Sequence, residues 1–197
     1  MQQQVSALLL AAGLSRRMGR CKQLLPLEGR PAVVRCLENI IAAGISDITV
    51  VVGPAGDEVV LAIAHLPVTV ARNGMVGSDM AQSVRTGLES FDSAVGGVLV
   101  CLADHPLVTP ETFRRLAEEH RTSPGAILIP LYNGRKGHPT LFPRPVIDEL
   151  SARATLRDVI GVHPERIKLL SVDDPAVVED MDTPADYQRI VARLTPS

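Results

Sequence analysis

The residues best suited to chemistry lie within positions 9–26, where an apolar run ends in Ala11-Ala12-Gly13 and is followed by Arg16, Arg17, Arg20 and Lys22. Small residues directly after a strand let backbone N–H groups approach a ligand closely, and four cations within seven residues offer their charge to a polyphosphate. The whole chain carries a formal charge of −2, so this cluster is a local excess and not a sample of a basic surface. A solvated basic loop would have no use for the small residues at its start, or for Leu24, Leu25 and Pro26 at its close. Spelling excludes two familiar phosphate loops. A Walker loop needs Gly-Lys-Ser/Thr, whereas Lys22 stands between Cys21 and Gln23; a dinucleotide fingerprint needs three glycines, whereas only Gly13 and Gly19 are present.

An acid to match these cations stands at Asp104, directly after the apolar run 97–101, in Leu-Ala-Asp-His-Pro. Asp before a turn and Pro is common for purely structural reasons. With a polyphosphate loop in the same chain, however, a carboxylate is needed to hold a divalent ion against the phosphates, and Asp104 is the expected Mg2+ anchor. Further along, Asp180 and Asp182 would share one face of an extended segment, so that one or both reach the same ion. Asp182 or Thr183 serves equally well as a helix start, with Pro184 at the first helical position and Asp186 in the first turn. Gly77, Ser78 and Ser83 follow a third apolar run and open a helix, where free N–H groups can face an anion or a base edge. His138, before Pro139 in a turn-rich basic loop, is a candidate contact and not a base, because a phosphate nucleophile is already anionic.

The elements that must carry these residues read as alternating strands and helices. Short apolar runs at 5–10, 49–53, 68–70, 97–101 and 126–130 are strands, and amphipathic segments at 32–43, 58–65, 80–90 and 110–120 are helices. Gly44 stops the first helix and Thr109 caps the last. Such alternation predicts an α/β fold with a mostly parallel central sheet covered on both faces, and in such sheets ligands bind beyond the carboxyl ends of the strands. The loop after residue 10, the segment after residue 72 and Asp104 all occupy that end.

At 197 residues the chain fits a single domain, 1–197. The amino terminus lacks a basic region and its apolar run is far short of a membrane span, which predicts a soluble, cytoplasmic protein with no membrane partner. Cys21, Cys36 and Cys101 have no metal-ligand spacing and fit free thiols, Cys36 and Cys101 in the core and Cys21, amid cations, a reactive candidate. With no Trp, two Tyr and three Phe, and no basic face, nucleic acid is excluded as a general partner.

The run Leu10-Ala-Ala-Gly-x-Ser-x-Arg17-Met-Gly-x-x-Lys22, then Leu24-Leu25-Pro26, resembles the signature loop of the molybdenum cofactor cytidylyltransferase and molybdopterin-guanine-dinucleotide-synthase-like nucleotidyltransferase family. The resemblance implies a Rossmann-like three-layer α/β/α domain of the nucleotide-diphospho-sugar transferase type. It implies transfer of CMP from CTP to molybdopterin, with pyrophosphate released and Mg2+ as cofactor. Nucleotide contacts would come from Leu10, Ala11, Ala12, Gly13, Arg17, Lys22, Gly77, Ser78 and Ser83, with Arg17, Lys22 and Asp104 catalytic, Asp104 and Asp182 on the metal, and His138 toward the second substrate. Ala12, where similar guanylyltransferases carry Gly, favours CTP over GTP. A sugar or methylerythritol phosphate acceptor, a non-catalytic molybdenum-cofactor carrier serving a hydroxylase client, and an NAD(P)H-dependent oxidoreductase on the same fold remain open alternatives.

Overall fold

The computed structural model describes residues 4–194 apart from positions 14, 76, 78, 93, 153, 154 and 163. In chain order the elements are β1 (Val5–Leu10), β2 (Pro26–Leu27), β3 (Arg30–Pro31), α1 (Ala32–Ala42), β4 (Ile48–Val52), α2 (Asp57–Ile63), β5 (Thr69–Arg72), α3 (Met80–Leu88) and β6 (Gly97–Leu102). There follow α4 (Pro110–Thr122), β7 (Ile127–Tyr132), β8 (Arg135–Lys136), β9 (Thr140–Pro143), α5 (Arg144–Ile147), α6 (Leu156–Val162), β10 (Ile167–Ser171) and α7 (Pro184–Leu194). Among the described residues the main sheet runs β10-β7-β9-β6-β1-β4-β5, with β8 paired to β7.

β1 is central, parallel to β4 on one side and to β6 on the other, which explains why its sequence is apolar at every position but Ser6. Period-two alternation divides its side chains between two cores. Ala7 and Leu9 join Val33, Leu37 and Ile40 of α1 and Leu116 of α4; Leu8 joins Val84 of α3 and Ile147 of α5 on the opposite face. Gly87 in α3 is required here, because a Cβ would stand 2.2 Å from Leu8 Cδ1 and 2.8 Å from Val51 Cγ2. Gly44, at φ 86°, ends α1 as expected, and Thr109 caps α4 by accepting from Thr112 N–H.

The expected mostly parallel sheet is present, with three strands that periodicity did not indicate, the two-residue β8 and the longer β9 and β10. β9 runs antiparallel between β6 and β7, and it is only four residues long and ends in Pro143. β10 lies at the edge beside β7, where the exposure of Lys168 and Leu169 dilutes its apolar pattern. A third, smaller core matters more for the site. It gathers Met18, Leu25, Leu27, Ala32, Met181 and Ile190, and so fastens the loop after β1 to the segment before α7.

Candidate active site

The loop after β1 leaves the sheet at once. Ala11 N–H continues the ladder to Val51 O at 2.8 Å, and Gly53 lets the two chains pass closely, since a Cβ there would stand 3.2 Å from Ala12 O. Beyond Gly13 the loop turns through Ser15 at φ 49° and Gly19 at φ 67°, with short 3₁₀ turns at Arg16–Met18 and Lys22–Leu24. Gln23 holds this path. It is buried at 2% exposure; its Nε2 donates to Ala11 O at 3.3 Å and Gly13 O at 3.1 Å, while its Oε1 accepts from Ser15 Oγ at 3.2 Å and Cys21 Sγ at 3.1 Å. Ser15 Oγ in turn accepts from Lys22 N–H at 3.0 Å. One buried amide therefore ties the small residues at the loop's start to the lysine at its end.

Two further segments meet Lys22. Asp104 follows β6, and Met181 N–H donates to Asp104 O at 2.9 Å, which places Asp182 beside it. Met181 and Met18 share the small third core, so the two sides of this junction are packed as well as hydrogen-bonded. Lys22 Nζ stands 2.7 Å from Asp104 Oδ2 and 2.7 Å from Asp182 Oδ1, with the lysine side chain only 12% exposed. Burial works against the ammonium, but Asp104 and Asp182 together outweigh it and hold the Lys22 pKa above its usual value. The Lys22 hydrogen bond, reinforced by Arg17, keeps the Asp182 carboxyl below the usual range against the opposing effect of burial.

The remaining loop cations are less committed. Arg17 reaches Asp182 Oδ2 at 2.5 Å but is 71% exposed, so the pair is screened by solvent. The Arg20 guanidinium lies 5.9 Å from the centre of the Tyr187 ring, and the side chain of Arg16 lies outside the described ones. The Cys21 thiol, read from sequence as a reactive candidate, is corrected by its surroundings: burial pushes its pKa up and its proton is directed at Gln23. Cys36 and Cys101 are free and buried.

Asp182 leaves helix capping to its neighbours. Asp186 accepts from Thr183 N–H and Thr183 Oγ1, both at 2.7 Å, and Asp186 N–H donates back to Thr183 Oγ1 at 3.3 Å, so the start of α7 is satisfied without Asp182. Asp180 is exposed. On the other side of Lys22 a cleft is lined by Leu10, Ala12, Gly13, Ser83 and Asp104. Ser83 is buried and accepts from Asn73 Nδ2 at 3.1 Å. Gly77 adopts φ 76° and Ser78 lies outside the described residues. Asp79 caps α3 by accepting from Gln82 N–H at 2.7 Å, so a carboxylate already occupies part of that helix start. Ala12 and Gly13 also border a second hollow toward Pro54 and Ala55.

His138 packs against His105, the neighbour of Asp104. Its N–H donates to Val177 O at 2.8 Å, and Gly137 permits that approach, since a Cβ there would stand 2.2 Å from Val177 O. Its ring centre is 5.3 Å from that of His105, whose Nε2 stands 3.9 Å from Asp104 Oδ1. Burial, aided by the neighbouring His105 ring, pushes the His138 pKa down to about 4.

The loop after β1, a largely enclosed lysine and two acids therefore converge where parallel strands end. The sequence profile of the MobA-like NTP transferase domain matches residues 7–167. The chain belongs to this family. It is 31% identical over 200 residues to a nicotine blue oxidoreductase of Paenarthrobacter nicotinovorans, covering 95% of this chain and 96% of that protein. It is 29% identical over 199 residues to the molybdenum cofactor cytidylyltransferase of Escherichia coli K12, with 97% of each chain covered. Among solved structures, Rv0371c from Mycobacterium tuberculosis H37Rv superposes with a TM-score of 0.85 at 30% identity over 97% of this chain and 98% of that one. The same protein in complex with manganese gives 0.81 at 29% over 97% and 99%. Family and fold together make the chain a nucleotidyltransferase, an enzyme class that works on nucleoside triphosphates with a divalent metal.

Sequence reasoning found the residues that carry charge and missed those that hold them. Gln23 and Ser15 brace the loop, and Met18 and Met181 clamp it to the Asp182 segment. A polar Gln inside the otherwise apolar closure of the loop was the visible signal for the first; nothing in spacing announced the second.

Proposed function

We propose that this MobA-like transferase moves CMP from CTP to the phosphate of molybdopterin, releasing pyrophosphate. The observation that carries the reading is the junction of Lys22, Asp104 and Asp182, three residues from separate segments brought to one point beside Gly13. The acceptor phosphate oxygen attacks the α-phosphorus, the bond to the β-phosphate oxygen breaks, and the pair of electrons leaves with pyrophosphate; no proton need be abstracted. Backbone N–H groups near Gly13 orient the phosphates, while Lys22 and Arg17 offset charge that grows on the leaving group. His138, neutral at physiological pH, would be an uncharged contact for the acceptor.

The residues fit a divalent cation. Asp104 and Asp182 already bind a cationic group between them, and Asp104 Oδ1 is buried with no hydrogen-bond partner, an acceptor that an ion would satisfy. Among the described residues there is no cluster of three or more His, Cys, Asp or Glu, which suits Mg2+, an ion held by one or two carboxylates with phosphate and water completing its shell. When bound, Mg2+ supplies charge neutralisation and alignment at the α-phosphate. Among the described residues no helix is long and apolar enough to cross a membrane; the cytoplasm is the compartment we propose for the reaction.

The likeness to a nicotine blue oxidoreductase keeps a redox reading in the test. Purified protein is incubated with magnesium, molybdopterin and each nucleoside triphosphate in turn, and pyrophosphate is measured. Release with CTP above the other three, lost at least 100-fold in Asp104→Asn, is the expected result. Release with GTP alone would overturn the base preference; turnover of Asp104→Asn at the wild-type rate would overturn the metal assignment. Dye reduction by NADPH with no pyrophosphate from any triphosphate would overturn transfer as the activity.

A further inference from the structure

Lys22 is bonded to the same two carboxylates that the proposed reaction assigns to the metal. Its Nζ takes Asp104 Oδ2 and Asp182 Oδ1, both at 2.7 Å, and its side chain is nearly enclosed. An ammonium whose only task was to await phosphates would gain nothing from being sunk between two acids, one of which is backed by the Met181–Asp104 backbone bond and the third core. Its main chain is fixed too, by Ser15 Oγ and the 3₁₀ turn, so that only side-chain torsions can carry Nζ elsewhere.

We infer that Lys22 is a resident cation that guards the two-carboxylate site, excluding a bare divalent ion and yielding the oxygens only when a triphosphate offers the ammonium replacements. The inference rests on the reading that Asp104 and Asp182 hold the metal. An Mg2+ or Mn2+ ion needs carboxylate oxygens at roughly 2.1 Å, and an ammonium still on those carboxylates would place two positive centres within about 5 Å of each other. The lysine must therefore leave, and an enclosed ammonium cannot leave without new acceptors. The β- and γ-phosphate oxygens supply them from the adjoining cleft, which Lys22 and Gly13 both line. Metal and nucleotide thus bind as a coupled pair, each tightening the other by the same factor. Arg17, exposed and on the outer oxygen of Asp182, can follow the triphosphate without opposing the exchange.

The test compares wild type with Lys22→Met and Lys22→Gln, using Mn2+ alone and following free Mn2+ by electron paramagnetic resonance, with circular dichroism to confirm folding. Removal of the guard should tighten Mn2+ binding at least tenfold in either variant while triphosphate binding weakens. In the wild type, with lysine nitrogen labelled, the Lys22 Nζ resonance should stay in place with millimolar Mg2+ alone and move when CTP is added with it. Equal or weaker Mn2+ binding in folded variants, or a shift of Nζ with Mg2+ alone, would overturn the inference and leave the transferase reading untouched. If Lys22→Met combined with Asp104→Asn kept the gained affinity, the ion would lie elsewhere and the metal assignment would fall with it.

Discussion

Replacing Gln23 by Leu preserves volume and burial and deletes only the amide, which isolates its hydrogen bonds as the variable. The amide donates to Ala11 O and Gly13 O at 3.3 and 3.1 Å and accepts from Ser15 Oγ and Cys21 Sγ at 3.2 and 3.1 Å. A buried polar group left without its partner costs about 1–3 kcal/mol, and these long bonds belong at the lower end. Two carbonyls at that lower end, with a smaller share for the hydroxyl that can reorient, give about 3 kcal/mol against the closed loop. At 1.4 kcal/mol per decade this corresponds to a ceiling of about 100-fold in the closed population.

The loss should fall between ten- and 100-fold in kcat/KM for CTP, mostly through KM, because the loop must close before the triphosphate finds its N–H groups. If the whole fold feels the change, a chain of this size loses about 2–4 °C of Tm per kcal/mol. Pyrophosphate release and thermal melting on the same samples separate the two effects. Gln23→Glu should fall at least as far, since a carboxylate keeps the Ser15 bond but has no proton for the two carbonyls. A Gln23→Leu enzyme with kcat/KM within threefold of wild type, whatever its Tm, would refute the claim that this amide shapes the nucleotide loop.

Gly137→Ala should lower kcat/KM for the acceptor at least tenfold while CTP binding by calorimetry changes less than threefold, because a Cβ there collides with Val177 backbone and displaces the His138 loop, which carries none of the proposed nucleotide contacts. Protonation of His138 is disfavoured in the fold, with a pKa near 4 against about 6.5 unfolded, so its neutral form stabilises the protein fully above pH 6.5 and that contribution is lost as pH falls toward 4. Fully buried His120, whose pKa burial also lowers, acts in the same direction, so Tm should drop steadily from pH 7 to 5; an NMR titration of His138 with its midpoint above 6 would contradict this.

Much of the fold was legible because buried elements write their periods plainly. β1 faces apolar neighbours on both sides and reads as an apolar run broken only by Ser6, and α1 places Val33, Leu37 and Ile40 on one face at helical spacing. β9 and β10 were not legible. The first is too short to show a period and is fixed by its antiparallel pairing with β6, and the second is an edge strand with half its face in solvent. Asp104 was placed by a rule of topology, since an acid directly after a central parallel strand can stand only at the sheet's carboxyl end.

Asp182 shows what kind of information a sequence withholds. Asp182, Thr183, Pro184 and Asp186 spell a helix start that either Asp182 or its neighbours could cap, and local chemistry gives no preference between them. The decision is made at a distance. Met181 buries itself with Met18 and donates its N–H to Asp104 O, which turns the Asp182 carboxylate toward Lys22 and away from the helix. Thr183 and Asp186 then cap α7 between themselves. The dual spelling was thus a division of labour, and the arbiter was a methionine pair whose residues lack any chemistry that spacing rules can detect. The same arrangement explains why the lysine can guard the site: the two acids are held at a fixed separation by backbone and core, so the side chain free to move is Lys22.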